Sequence, residues 1–258
     1  MIVLNEIKQA EEVLRTGQVE KKSTITIMLL AKYFIHVRNY DEAETYIEID
    51  KFLNNNYSFY NKIKWVNKIK AMISKAAKYK LRNLESISIS KSEVEKIEEV
   101  CSLPGQRVLF SMLCLAKVFN ATSEVNNGWV NTPINEIFQT AKVHPKNADD
   151  KYFMIHDFIQ DGYLESSAKI DNINFRITFI GGEDEEIKIT DLENLGYEWN
   201  NYIKYGNYGR CTVCNKLYKI NSRCGKYCNK CAKEVKKEQD KCRKMQYGEN
   251  KTFDFLPN

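Results

Sequence analysis

The apolar positions of this chain repeat a pattern. Ile27-Met28-Leu29-Leu30-Ala31-Lys32-Tyr33-Phe34 returns eighty-five residues later as Met112-Leu113-Cys114-Leu115-Ala116-Lys117-Val118-Phe119. A short helix is predicted after each block, over 41–53 and over 133–143. Thr132 is placed to cap the second, with Pro133 at its first position. A longer helix follows each time. Ile63, Val66, Ile69, Ile73 and Ala76 make one apolar stripe; Tyr152, Ile155, Phe158 and Ile159 make the other, which Gly162 stops. Each pass closes with period-two alternation, the mark of a half-buried strand. In the first pass Ile87 and Ile89 alternate with serines, on a short wing over 80–90. In the second, Ile173, Phe175, Ile177 and Phe179 alternate with Asn174, Arg176 and Thr178, and 162–165 supplies a hairpin partner through 168–172. Ser90 and Glu93 have capping-box spacing before a helix over 93–102, and Pro104-Gly105 reads as a break. The passes therefore divide near 90–105.

Helix, helix, helix, hairpin is the order carried best by QRVLFSMLCLAKVFN, GWVNTPINEIFQTAKV, DDKYFMIHDFIQDGYLESS and INFRITF. This order resembles the DNA-binding winged helices of phage regulators and replication-initiation proteins. With the cysteine-rich tail described below, it is also similar to Gram-positive mobile-element proteins of unassigned function. The expected fold is mainly α with small β (α+β): tandem winged-helix-like domains, then a zinc ribbon and a C-terminal basic helix. The expected boundaries are 1–92, 93–182, an acidic and aromatic connector over 183–207, and 208–258. A single winged helix after an unrelated helical domain is the plainer alternative. The connector carries Leu192, Leu195, Tyr197, Trp199 and Tyr202, too apolar a set for a free linker, and Gly181-Gly182-Glu183-Asp184 reads as a turn.

The tail bears the clearest chemistry. Five of the eight cysteines lie between Cys211 and Cys231. Cys211-x2-Cys214 and Cys228-x2-Cys231 are two CxxC pairs, each able to turn two thiolates onto one ion. Together they complete a tetrahedral shell, so one structural zinc is expected, with no open position for catalysis. Cys224 could replace a ligand. Cys242 reads as a free thiol, and Cys101 and Cys114 as small core residues. No βαβ context supports a redox CxxC, and a cytosolic setting disfavours disulfides. The segment resembles the zinc-ribbon tails of small proteins from Gram-positive bacteria and their mobile elements. That resemblance implies the metal more firmly than the partner.

Charge changes the picture next. The net charge is +5, unevenly spread. Residues 61–82 hold eight Lys or Arg and no acid, and residues 201–244 hold thirteen against three acids. Residues 181–200 hold seven acids and one Lys. Such stripes suggest oriented polyanion binding. On the first long helix Lys62, Lys64, Lys68, Lys75 and Lys78 are candidate phosphate contacts, and Asn67 is the candidate base reader. Arg176, with Lys169, serves on the second wing. Lys219, Arg223, Lys226, Lys236 and Lys237 serve in the tail, where Tyr218 and Tyr227 could stack on bases or form the ribbon's core. The plain alternative for the lysines is a solvated helix face. The second long helix carries Asp149, Asp150, Asp157 and Asp161, which repel phosphate, so protein docking or dimerisation is expected there. His144 and His156 read as ordinary surface or core residues.

The richness in Lys, Asn and Ile suggests an AT-rich bacterial or phage genome. No secretory leader or membrane-spanning run is visible, so a cytoplasmic location in a bacterial host cell and no membrane contact are expected. No Walker loop, GxSxG or HExxH occurs, and no enzymatic activity is expected. The resulting expectation is a zinc-containing DNA-binding protein of a phage, prophage or mobile element in a Gram-positive host. It would act in transcription regulation or replication initiation. Expected partners are double-stranded DNA, a host or phage protein, and a second protomer as a homodimer. The alternative is a protein-binding anti-defence (anti-CRISPR-like) or polymerase-binding factor that uses the winged helices and ribbon for docking. RNA shares the same basic surface requirement.

Overall fold

The computed structural model describes residues 2–123, 125–147, 149–167, 174–182, 184–220 and 225–252. The chain is mainly helical with small antiparallel sheets, an α+β protein. It divides into two compact units: residues 1–87 with 121–124, and 88–120 with 125–258.

The first unit holds four helices: α1 (Glu6–Thr16), α2 (Ser23–His36), α3 (Glu42–Asn56) and α4 (Lys62–Ala76). Local signals set their ends. The Asn5 side chain accepts from the Lys8 N–H and Gly17 closes α1 at φ 68°, a left-handed conformation suited to glycine. Asp41 and Glu44 form a reciprocal capping box on α3. The Asn61 side chain accepts from the Lys64 N–H to start α4. Ile27, Leu30, Tyr33, Ile49, Leu53, Ile69 and Ile73 are buried together. The expected stripe on α4 is thus correct at Ile69, Ile73 and Ala76, but Ile63 is 87% exposed.

The expected first wing does not form. The backbone groups that a hairpin over 80–90 needs are taken by the start of the chain. Glu6 N–H donates to the Arg82 carbonyl at 2.8 Å and Leu84 N–H to the Leu4 carbonyl at 3.1 Å. Glu6 also accepts from the Arg82 guanidinium at 2.8 Å and from Lys32 at 2.9 Å. The strand β1 (Ile87–Ser90) pairs instead with β5 (Glu185–Ile189). The repeat of apolar blocks is therefore a repeat of helices, not of whole domains.

The second unit continues with α5 (Lys91–Glu98), α6 (Leu103–Thr122), β2 (Trp129–Val130), α7 (Ile134–Thr140), α8 (Asp149–Gln160), β3 (Leu164–Ser166) and β4 (Phe175–Ile177). Strands β2, β4 and β3 form one antiparallel sheet in that order, with Val130 opposite Phe175 and Leu164 opposite Ile177. Phe175 and Ile177 are buried, in keeping with the alternation; Ile173, Lys169 and the 168–172 hairpin turn lie outside the described residues. Gly162 ends α8 at φ 79°, and Tyr163 N–H donates back to the Phe158 carbonyl. Tyr152 is exposed rather than part of the buried stripe.

Two local expectations fail here. Pro104 and Gly105 open α6 instead of breaking the chain; the Ser102 hydroxyl accepts from Gly105 N–H, and proline is tolerated in a first helical turn. Thr132 does not cap α7: its hydroxyl is buried without a hydrogen-bond partner, and Pro133 occupies the cap position. The Ser90–Glu93 capping box does form. Glu93 is fully buried, where it pairs with Lys117 at 2.6 Å and accepts from Gly181 N–H.

The connector packs into this unit as α9 (Leu195–Tyr202). Trp199 is fully buried, 5.2 Å from the Phe110 ring, and donates Nε1–H to Gln106. Gly196 sits so close to α7 that a Cβ would collide with the Ala141 carbonyl oxygen. The tail follows as the hairpin β6 (Tyr208–Arg210)–β7 (Leu217–Lys219) and the helix α10 (Asn229–Thr252).

Candidate functional site

Each cysteine pair is presented by a tight turn. The β6–β7 hairpin brings Cys211 and Cys214 together: Cys211 N–H donates to the Lys216 carbonyl, Asn215 N–H donates to the Cys211 carbonyl, and Asn215 takes φ 56°. The other pair begins α10, where Ala232 N–H donates to the Cys228 carbonyl at 2.9 Å and Cys231 N–H reaches the Cys228 Sγ. Thr212 N–H donates to the Lys226 carbonyl and ties the two turns to each other. All four sulfurs lie within 4.8 Å of one another, close enough to hold a metal ion. Cys211 and Cys231 are buried, Cys228 is half-buried and Cys214 is exposed. Burial works against a thiolate at Cys211, but backbone N–H groups of Cys228, Cys214 and Val213 outweigh it and bring the thiol down to about 6. At Cys231 burial and the neighbouring thiols push upward. Cys224 and Arg223 lie outside the described residues. Cys114 is a core residue as expected, whereas Cys101 is exposed, as is Cys242.

The tail's cations fall into two sets. Arg210 pairs with the buried Glu198 at 3.2 Å, and Lys216 pairs with Glu193. The acidic connector thus pairs with two cations of the β6–β7 hairpin and its turn. Lys219, Lys226, Lys236 and Lys237 are exposed, as are Lys230 and Lys233. Tyr218 is half-buried and donates to the Gly225 carbonyl, while Tyr227 is 37% exposed.

In the first unit, α4 buries Ile69 and Ile73 and turns its lysines outward. Lys64, Lys68 and Lys75 stand at i, i+4 and i+11, one line along a helix, with Asn67 beside it. Lys64, Lys75 and Lys78 have no ion-pair partner among the described residues. Lys68 lies over the Trp65 ring, 4.6 Å from its centroid. Lys62 differs: it pairs with Asp50 at 2.9 Å, and the same carboxylate accepts from Tyr60. Burial and Asp50 both push the Tyr60 phenol upward, which keeps it a donor. At the end of the helix and after it, Lys75, Lys78 and Lys80 line an open cleft of about 910 Å³ with Lys32 and Arg82.

Arg176 on the β4 strand pairs with Glu165 at 3.0 Å. The outer side of α8 is acidic. A cleft of about 400 Å³ is lined by Glu99, Asp150, Phe153, Asp157 and Asp161, and Phe153 is 65% exposed. His144 and His156 are exposed.

The sequence reading missed the turn into α4. Tyr57, Phe59, Tyr60 and Trp65 cluster there, with Tyr57 edge-on to Phe59 at 5.9 Å and to Trp65 at 5.9 Å. The signal was present in NYSFYNKIKW, aromatics interleaved with polar residues at the head of the lysine run. No helix of the described residues is long and apolar enough to cross a membrane. Comparison with protein-family models, with curated proteins and with solved structures finds no match.

Proposed function

We propose that this protein binds double-stranded DNA through the outer face of α4 and carries one structural zinc ion in its tail. The α4 face carries the reading. It is a helix without a single acid, held by a buried core on one side and lined by Lys64, Lys68 and Lys75 on the other. Lysines so placed neutralise phosphates and release counterions, giving affinity with little sequence dependence. Asn67 is the residue on that face able to pair bidentately with adenine. The exposed lysines of α10 add a second backbone contact.

Zinc is supported by the donor set and its spacing. Tetrahedral zinc with bonds of about 2.3 Å to sulfur sets its ligands about 3.8 Å apart, and Cys214 Sγ and Cys228 Sγ are 3.8 Å apart. Four thiolates close the shell, so the ion's role is structural. A hairpin turn facing a helix start is the arrangement of a zinc ribbon. The order α6–β2–α7–α8–β3–β4, with β4 central in its sheet, supports one winged helix over the second unit. Regulation of transcription or replication initiation in a phage, prophage or mobile element is the setting these parts suit.

The acidic cleft on α8 favours a second reading, a protein-docking factor. In a winged helix α8 would occupy the position that enters the major groove, and its carboxylates oppose that use. A gel shift on random duplex DNA across a salt series separates the two. DNA binding through several phosphates loses about 10³–10⁵ in affinity between 50 and 200 mM salt, and Lys64→Gln, Lys68→Gln and Lys75→Gln together weaken it about 10²–10³-fold near 0.1 M salt. No shift, with tight and salt-insensitive capture of a host protein, supports docking instead.

A further inference from the structure

Phe59 is 80% exposed and Ile63, in the first turn of α4, is 87% exposed. Scattered apolar side chains on a surface need no explanation, but these two precede the lysine line in the chain, and Phe59 sits on a turn that is held firmly. Tyr60 N–H donates to the Tyr57 carbonyl at 2.9 Å, and Tyr57 N–H to the Leu53 carbonyl at 2.9 Å. The Tyr60 hydroxyl and Lys62 both fasten to Asp50. Tyr57 meets Phe59 edge-on, at an interplanar angle of 67°, so it does not cover the Phe59 ring by stacking. Trp65 is half-buried beside it under Lys68.

We infer that this turn is a stacking site for unpaired nucleobases, with Phe59 as the platform and Lys64 and Lys68 holding the flanking phosphates. The inference rests on the nucleic-acid reading of α4 and adds what that reading lacks, a preference for single-stranded or frayed segments. Rigid aromatics beside cations fit bases because every base offers a π-face, while the phosphates match the lysines. A paired duplex keeps its bases stacked inside and offers Phe59 little. The lysines of α4, with Lys68 over the Trp65 ring, fix the sign of the partner's charge as negative.

Fluorescence anisotropy on the full-length protein tests it with three probes: a labelled single-stranded DNA, the same length of abasic strand, and a duplex. Phe59→Ala is expected to weaken the single strand about tenfold or more and to change duplex affinity by less than about twofold. The abasic strand is expected to bind the native protein no better than the single strand binds Phe59→Ala, and Phe59→Trp to restore affinity. Phe59 is exposed, so thermal unfolding should match the native protein's. Equal loss on single strand and duplex, no loss on either, or full affinity for the abasic strand overturns the stacking site. In those cases duplex binding that is lost in the Lys64, Lys68 and Lys75 variant leaves the α4 reading intact. Failure of every probe to bind overturns both.

Discussion

Two lysine-bearing helices, α4 and α10, present similar charge on different supports. α4 is seated by its own side chains: Ile69, Ile73 and Ala76 are buried in the four-helix core. α10 has no such stripe over its described side chains. Cys231 is buried at its start and Val235 is half-buried, and Lys233, Lys236, Lys237 and Lys241 stand in solvent. Its first turn carries part of the cysteine cluster. The difference teaches that a basic surface can be seated by apolar burial, or begin at a cluster of four cysteines able to hold a metal where the local core is small. Zinc supplies an apparent ~10–16 kcal/mol in small thiolate domains.

Metal removal is the largest way to break this comparison. Purified protein is expected to hold one zinc per chain, and Cys228→Ser or a strong chelator to remove it. Limited proteolysis should then cut within 208–244, while the first unit stays resistant and retains duplex binding. Loss of structure in both units would show that α4 shares the metal's support.

Ile73→Ala strikes the other support. A truncation at this fully buried position costs about 2–5 kcal/mol through lost burial and a cavity, read by chemical denaturation of the first unit. Zinc content should stay unchanged.

Neutralising the lysine line sharpens what the two helices contribute. Replacing Lys64, Lys68 and Lys75 by Ala should lower the slope of log affinity against log salt by about 3 and weaken duplex binding about 10²–10³-fold near 0.1 M salt. The fold should be untouched, since these side chains are exposed. If α10 is the main contact, the slope will instead fall on replacing Lys236 and Lys237.

The smallest effect is expected at Lys62. Its ammonium is already engaged by Asp50, so Lys62→Ala should change duplex affinity by less than about threefold, well below Lys64→Ala. Exposed ion pairs contribute about 0–1 kcal/mol, so stability should also move little. A larger effect at Lys62 than at Lys64 would mean that Asp50 releases its partner to the ligand.

The site was legible where chemistry is local. Cys-x-x-Cys places two sulfurs on one turn whatever surrounds it, and the two turns meet as their spacing suggested. The Ser90–Glu93 capping box, the stop at Gly162 and the alternation through Phe175 and Ile177 are local in the same sense. The first wing was misread because alternation at Ile87 and Ile89 names a strand but not its partner. The Thr132 cap and the Pro104-Gly105 break failed because burial and helix starts involve residues beyond the short motif.

The sequence by itself determined which residue types could bind a metal or an anion, because ligand spacing and helical periodicity are properties of neighbouring residues. Tertiary structure alone decided which cations remain available. Lys62, Arg176 and Lys216 read like their neighbours, yet each meets a carboxylate on another element or loop, Asp50, Glu165 and Glu193 respectively. Charge compensation acts through space, so no one-dimensional pattern contains it.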